Sequence, residues 1–201
     1  MPARSRARHV WKRADQEREN RGIRMQDELK IVRAETNQYE EIRAFYHSLI
    51  DEMYQRRFHI TWKKDVNPDP AFLKQAIEKG EFYTGYCGDD IAAGMILNHT
   101  HNKEYEQVRW QIPAEDSEIN VIHSLGVHPL FSGKGMGMRM VEKAVSTARE
   151  TGMKAVRLDV LRENEPAKNL YIRYGFQYID TRKLYYPNTG WADFEMYEYL
   201  L

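Results

Sequence analysis

Leu125-Gly126-Val127-His128-Pro129 leads into Ser132-Gly133-Lys134-Gly135-Met136-Gly137, and the reading of this stretch decides the fold. Upstream, Ile119–Val127 is β-branched and apolar, which predicts a strand in the middle of a sheet, stopped by Pro129. Downstream, Met136, Met140, Val141, Ala144, Val145 and Ala148 share one helical face. Arg139, Glu142, Lys143 and Arg149 take the other, and Gly152 closes the helix. The glycine cluster therefore stands where a strand hands over to a helix. A helix start carries unpaired N–H groups and the positive end of the macrodipole. Glycines let a ligand approach that backbone closely, which suits a phosphate or pyrophosphate. A flexible turn that merely needs glycine is the competing reading.

Two nucleotide motifs are excluded. A Walker A loop would need glycine at His128 and Ser or Thr at Gly135; a dinucleotide fingerprint would need glycine at Met138. Working outward, Leu29–Arg33 reads as a short strand. Tyr39, Ile42, Phe45, Tyr46, Leu49, Ile50 and Met53 give the apolar face of a helix over about 37–55. Asp69-Pro70 starts a second helix that Gly80 ends. Glu81–Cys87 and Ile91–Leu97 flank the turn Gly88-Asp89-Asp90, and residues 99–117 read as a polar loop or ragged hairpin. Ala155–Leu161 is a strand. Pro166 opens a helix with Ala167, Leu170, Tyr171 and Tyr174 on one stripe, ended by Gly175. Strands over about 176–185 and 193–200 follow, separated by Tyr186-Pro187-Asn188-Thr189-Gly190. The order β, α, α, β, β, β, α, β, α, β, β predicts helices packed on a mixed sheet.

The chain has 201 residues, with 30 Lys plus Arg against 30 Asp plus Glu. That balance argues against a globally basic nucleic-acid or membrane binder, and 42% hydrophobic residues argue against disorder. The zero is a sum. Residues 1–24 hold eight basic and three acidic residues, a local charge of +5, and the remainder carries −5. The reading is a basic, disordered extension over 1–24, with a single domain over 25–201. The arm either touches RNA or membrane or has no role. A single cysteine, Cys87, forms no internal bridge, so a reducing cytoplasm is the expected setting. No apolar run approaches the roughly 18 residues of a membrane helix.

After the glycine loop come Asn164-Glu165-Pro166-Ala167, Leu170-Tyr171 and Gly175-Phe176. An LxVxP strand end, a GxG loop and N-x-x-A-x-x-L-Y-x-x-x-G-F, in this order and spacing, resemble the GNAT superfamily of acyl-CoA-dependent N-acetyltransferases. The resemblance covers about residues 28–200 and is most specific over 119–179. It implies an α/β (α+β) fold with a mixed, mostly antiparallel twisted sheet of about seven strands, flanked by about four helices. It implies acetyl-CoA as co-substrate, no metal, and a small amine, amino acid or peptide as acceptor. The cofactor-binding set it implies is Leu125, Gly126, Val127, Ser132, Gly133, Lys134, Gly135, Met136, Gly137, Met138, Asn164, Ala167 and Tyr171. The strand of Leu125 and Val127 would splay and pair with the pantetheine arm. The amides from Gly133 to Met138 would hold the pyrophosphate, and Asn164 would contact the arm. The family usually has Arg or Gln where Ser132 stands, which removes one side-chain contact. The rivals to catalysis of a small-amine acceptor are a non-catalytic acyl-CoA sensor and an RNA- or ribosome-associated acetyltransferase. If the chain self-associates, a homodimer is the first expectation.

The resemblance assigns Tyr171 to protonating the departing thiolate. A thiol near pKa 8.5 and a phenol near 10 make that transfer feasible at neutral pH. The same stripe equally fits an ordinary core aromatic. For the base, strict alternation puts His123 on the face of Val121 and Leu125, and arylalkylamine-type members of the superfamily place a histidine there. Packing under the sheet is the other reading of His123, and Glu118 is a weaker candidate. His99, His101 and Glu104 lie in a polar loop without a complete metal-ligand set. Tyr54 to Trp62 and Tyr185-Tyr186 to Trp191 bracket the expected acceptor region. They would form an aromatic wall for a cationic amine, helped by Glu52 or Asp193.

Overall fold

The computed structural model describes residues 29–56 and 61–201. The basic arm of residues 1–24 lies outside the described residues. The strands are β1 (Lys30–Arg33), β2 (Phe82–Cys87), β3 (Asp90–Asn98), β4 (Ile119–Val127), β5 (Ala155–Leu161), β6 (Gln177–Tyr186) and β7 (Gly190–Leu200). The helices are α1 (Tyr39–Tyr54), α2 (Pro70–Glu78), α3 (Met136–Glu150) and α4 (Glu165–Tyr174). The strands form one sheet in the order β1-β2-β3-β4-β5-β7-β6. Every neighbouring pair is antiparallel except β4 and β5. The stretch 99–117 contains 3-10 turns at Lys103–Gln107 and Asp116–Glu118 rather than a hairpin.

The helices cover both faces. Ile42, Phe45, Tyr46, Leu49 and Ile50 of α1 join Leu73, Ala76 and Ile77 of α2 against Phe82 and Ile96. Met140, Val141, Ala144, Val145 and Ala148 of α3 pack on the other face with Met95, Leu158 and Tyr197. A large apolar side chain gains about 1.5–3 kcal/mol from such burial, so these two stripes fix which face each helix lies on. Local signals set the ends. The Asp69 carboxylate accepts the Phe72 N–H at 2.9 Å, and Gly175, at φ 117°, ends α4.

One buried ion pair ties the connection between β3 and β4 to the sheet. Arg157 Nε donates to Glu198 Oε1 at 2.8 Å, and its guanidinium lies 4.3 Å from the centre of the Trp110 ring. The other Glu198 oxygen accepts the Gln111 N–H at 2.8 Å. Replacing Arg157 with alanine strands a buried carboxylate. It is expected to cost about 3–5 kcal/mol, measured by denaturant unfolding.

Candidate active site

The parallel pair makes the opening. β4 and β5 are paired only at Ile119–Ala155, Asn120–Val156 and Val121–Arg157. Beyond Val121 they separate, and a cleft of about 1080 Å³ opens between them. That volume lies at the upper end of ordinary small-molecule sites, which leaves room for two reactants. His123, Leu125, Gly126, Val127, Ser132, Asn164, Ala167 and Tyr171 all line it. The glycine loop continues from Ser132 at its edge.

β4 carries a bulge. Ile96 pairs with His123 and Gly94 with Gly126, so β4 spends three steps where β3 spends two. Ser124 adopts φ 50°, unusual for a residue with a side chain. The Tyr46 hydroxyl holds it by donating to the Ser124 carbonyl at 2.7 Å. The extra residue corrects the alternation expected from sequence. His123 meets Phe72 of α2 edge-on at 5.5 Å, whereas Leu125 packs into the core beneath α3. The two therefore face opposite sides of the sheet.

The glycine loop has the backbone its sequence demands. Gly133 and Gly135 sit at φ 77° and 76°, a region that favours glycine. The first intrahelical bond of α3 runs from the Arg139 N–H to the Gly135 carbonyl at 3.1 Å. The N–H groups of Met136, Gly137 and Met138 therefore face out of the helix start. A Cβ on Gly137 would come within 3.0 Å of Leu170, so glycine also allows the close approach of α3 to α4. Met136 is buried and anchors the loop. The Lys134 ammonium lies 5.7 Å from the centre of the Phe131 ring.

α4 explains its own motif. Asn164 caps it by accepting the Ala167 N–H at 3.2 Å, which leaves its amide NH2 for other partners. The Tyr171 carbonyl accepts the N–H groups of Gly175 and Phe176 at 3.1 and 3.0 Å. Phe176 returns against the Tyr171 ring at 5.5 Å, edge to face. Gly-Phe thus fixes the ring four to five residues before it. Tyr171 is buried apart from its place in the cleft wall. Burial, with the charge of Asp159, pushes the phenol pKa up, so it stays protonated at neutral pH.

Burial pushes the His123 imidazole pKa down to about 4. Its Nε2 lies 2.9 Å from the Thr100 carbonyl and 3.1 Å from Asn98 Oδ1. Two acceptors there assign the proton to Nε2 and leave the Nδ1 lone pair as the acceptor. Glu118 stands elsewhere, at the start of β4, capping a 3-10 turn and paired with Lys154 at 2.6 Å, and it does not line the cleft. His99 lies 2.6 Å from the Ile119 carbonyl and His101 pairs with Asp116 at 2.8 Å. Among the described residues, no group of three His, Cys, Asp or Glu side chains forms a metal site.

The expected aromatic wall is present in part: Trp62 and Tyr186 belong to it, and Phe72 and Phe194 join them. Tyr54, Tyr185 and Trp191 do not line the cleft. Tyr185 and Trp191 pair with each other at 5.6 Å and remain exposed. Asp193 faces Arg162 and Lys183. Neither Glu52 nor Asp193 reaches the cleft.

Sequence reasoning missed Asp159, on β5. It lines the cleft, and its carboxylate accepts from the Tyr105 hydroxyl at 2.8 Å and from the Tyr186 hydroxyl at 3.1 and 3.2 Å. Burial pushes its pKa up. The available signal was a lone aspartate inside the apolar strand Ala155-Val-Arg-Leu-Asp-Val-Leu161.

An open, mostly antiparallel sheet with a cleft between its two parallel strands and a glycine-rich helix start beside it defines an acyl-CoA-dependent transferase. The acetyltransferase (GNAT) family model matches residues 39–176, and the chain belongs to that family. N-alpha-acetyltransferase RimI of Mycobacterium tuberculosis is 35% identical over 63% of this chain and 71% of its own length. The uncharacterized protein ML0378 of Mycobacterium leprae is 30% identical over 61% of this chain, but the match spans only 30% of that longer relative. Among solved structures, a GNAT-family acetyltransferase from Listeria monocytogenes superposes with TM-score 0.67 at 22% identity, covering 86% of this chain and 95% of its own. The PaiA N-acetyltransferase of Thermoplasma acidophilum, solved in complex with coenzyme A, gives 0.63 at 16%, covering 87% and 99%. Among the described residues, no helix is long and apolar enough to cross a membrane.

Proposed function

We propose that this N-acetyltransferase acetylates the α-amine at the N-terminus of a peptide or protein by direct transfer from acetyl-CoA. The observation that carries the reading is the presence of Tyr171 and Asp159 in one cleft that leads to the glycine loop. The Met136, Gly137 and Met138 amides suit the pyrophosphate, and Asn164 offers its NH2 to the arm. The amine nitrogen bonds to the thioester carbonyl carbon as its proton passes to Asp159. The carbon–sulfur bond breaks, and Tyr171 gives its proton to the departing sulfur. No activated Ser or Cys constellation lines the cleft among the described residues, so a covalent acyl-enzyme has no support.

The base assignment follows from what burial does to each group. It raises a carboxyl toward the working pH and lowers an imidazole away from it. Asp159 therefore gains strength as a base where His123 loses it. The acceptor class follows from the same chemistry. An α-amine of pKa about 7.7–8.0 is roughly one-tenth free base at pH 7, an alkylamine near 10.4 only about one part in a few thousand. A site with one weak carboxylate base suits the former. The name of the RimI relative, an N-alpha-acetyltransferase, points the same way.

The experiment is CoA release with three acceptors: a short peptide with a free N-terminus, the same peptide N-terminally blocked but carrying lysine, and a small alkylamine. Only the first is expected to turn over rapidly. Equal rates on the blocked peptide would overturn the acceptor class. A second reading keeps His123 as base, favoured by its place in the cleft with Nδ1 as the acceptor nitrogen. A shifted pH profile in His123→Ala would favour it.

A further inference from the structure

The connection between β3 and β4 runs from residue 99 to 118. Connections this long are uncommon in compact domains unless they have a task. This one is held down throughout. His101 pairs with Asp116 at 2.8 Å, the Trp110 indole N–H donates to the Tyr105 carbonyl at 3.0 Å, and Arg157 donates to the Ile112 carbonyl at 3.1 Å. What it delivers is the Tyr105 hydroxyl, 2.8 Å from Asp159 Oδ2. Tyr105 is fully buried and does not line the cleft, so it touches neither reactant. Tyr186 reaches the same carboxylate from β6.

We propose that the β3–β4 connection is a working part of the site: Tyr105 is a positioning residue that, with Tyr186, orients the Asp159 carboxylate and sets the pH at which it titrates. The inference rests on the reading of Asp159 as base. Two phenols donating to one carboxylate favour its charged form and oppose the effect of burial. Oδ2 accepts from Tyr105, and the Tyr186 hydroxyl lies within hydrogen-bond distance of both oxygens, which fixes the plane of the carboxylate. Of the titratable and charged groups nearby, His101 stacks on the Tyr105 ring at 5.1 Å and pairs with Asp116. Arg157 of the same strand is committed to Glu198, Met196 opposite on β7 is neutral, Tyr171 on α4 is protonated, and the charge of Glu104 bears on Tyr186 from the connection itself. Among the described residues, no cation pairs with Asp159.

The test uses Tyr105→Phe and Tyr186→Phe, which delete only a hydroxyl, with Asp159→Asn as reference. Two quantities are read: the midpoint of the Asp159 carboxyl titration by 13C NMR in the protein without substrates, and the pH profile of kcat/KM. Tyr105→Phe is expected to move the midpoint up by about one pH unit. The acidic limb of kcat/KM follows it, while the KM for acetyl-CoA stays the same. A midpoint unmoved in both variants, with near-UV circular dichroism showing native packing, would overturn the proposal. If Tyr105→Phe does not fold, Tyr186→Phe decides by the same readout. A midpoint that moves while Asp159→Asn keeps full turnover supports the clamp and overturns only the base reading.

Discussion

Tyr171→Phe is expected to lower turnover by about 10²–10⁴-fold while leaving acetyl-CoA affinity almost unchanged. The substitution removes one hydroxyl and keeps the ring that packs on Phe176, so the fold and the cleft wall survive. What is lost is the only proton donor assigned to the leaving sulfur. An unassisted thiolate must leave with its full charge in a site that burial has made poorly solvating. The interaction exists only as the carbon–sulfur bond breaks, so kcat should fall and KM should not. Single-turnover kinetics with isothermal titration of acetyl-CoA check both halves. Unchanged single-turnover rates would remove Tyr171 from the mechanism.

Asp159→Asn is expected to have an effect of the same order at neutral pH, about 10²–10⁴-fold in kcat/KM, but with a different signature. In the proposed role the carboxylate works as a base when deprotonated, so wild-type activity is expected to rise with pH through its raised pKa. The amide has no such titration, and that acidic limb should vanish. Stability should move the other way. A carboxyl with a raised folded-state pKa holds its proton more tightly folded than unfolded. It therefore contributes a loss of stability as pH rises from its unfolded value, near 3.9, to its folded one. The amide removes that loss, so the variant should melt no lower at pH 7 than at pH 4 relative to wild type. A retained acidic limb would assign the titration to another group.

The two effects separate by what each residue does with its proton. Tyr171 is legible from its motif because Gly175 must end the helix and Phe176 must pack back, so spacing and chemistry coincide. Asp159 carries no such spacing signal. Its meaning comes from Tyr105, 54 positions away in sequence, and Tyr186, 27 away. His123 shows the limit of pattern reading most clearly. Period-two alternation placed it beside Leu125, and one bulge at Ser124 moved it to the other face. That bulge is stabilised by Tyr46 from a helix 78 positions earlier, which no local window contains.

The sequence alone determined the order of elements, the family resemblance and the glycine-loop helix start. Those depend on short-range periodicity, on the backbone angles only glycine tolerates, and on proline and capping chemistry, all of which act within a few residues. Only the tertiary structure decided the face of His123, the cleft opened where β4 and β5 stop pairing, and the carboxylate at its wall. Those depend on contacts between residues far apart in the chain and on burial, and burial is what pushes a carboxyl up and an imidazole down inside the same cleft.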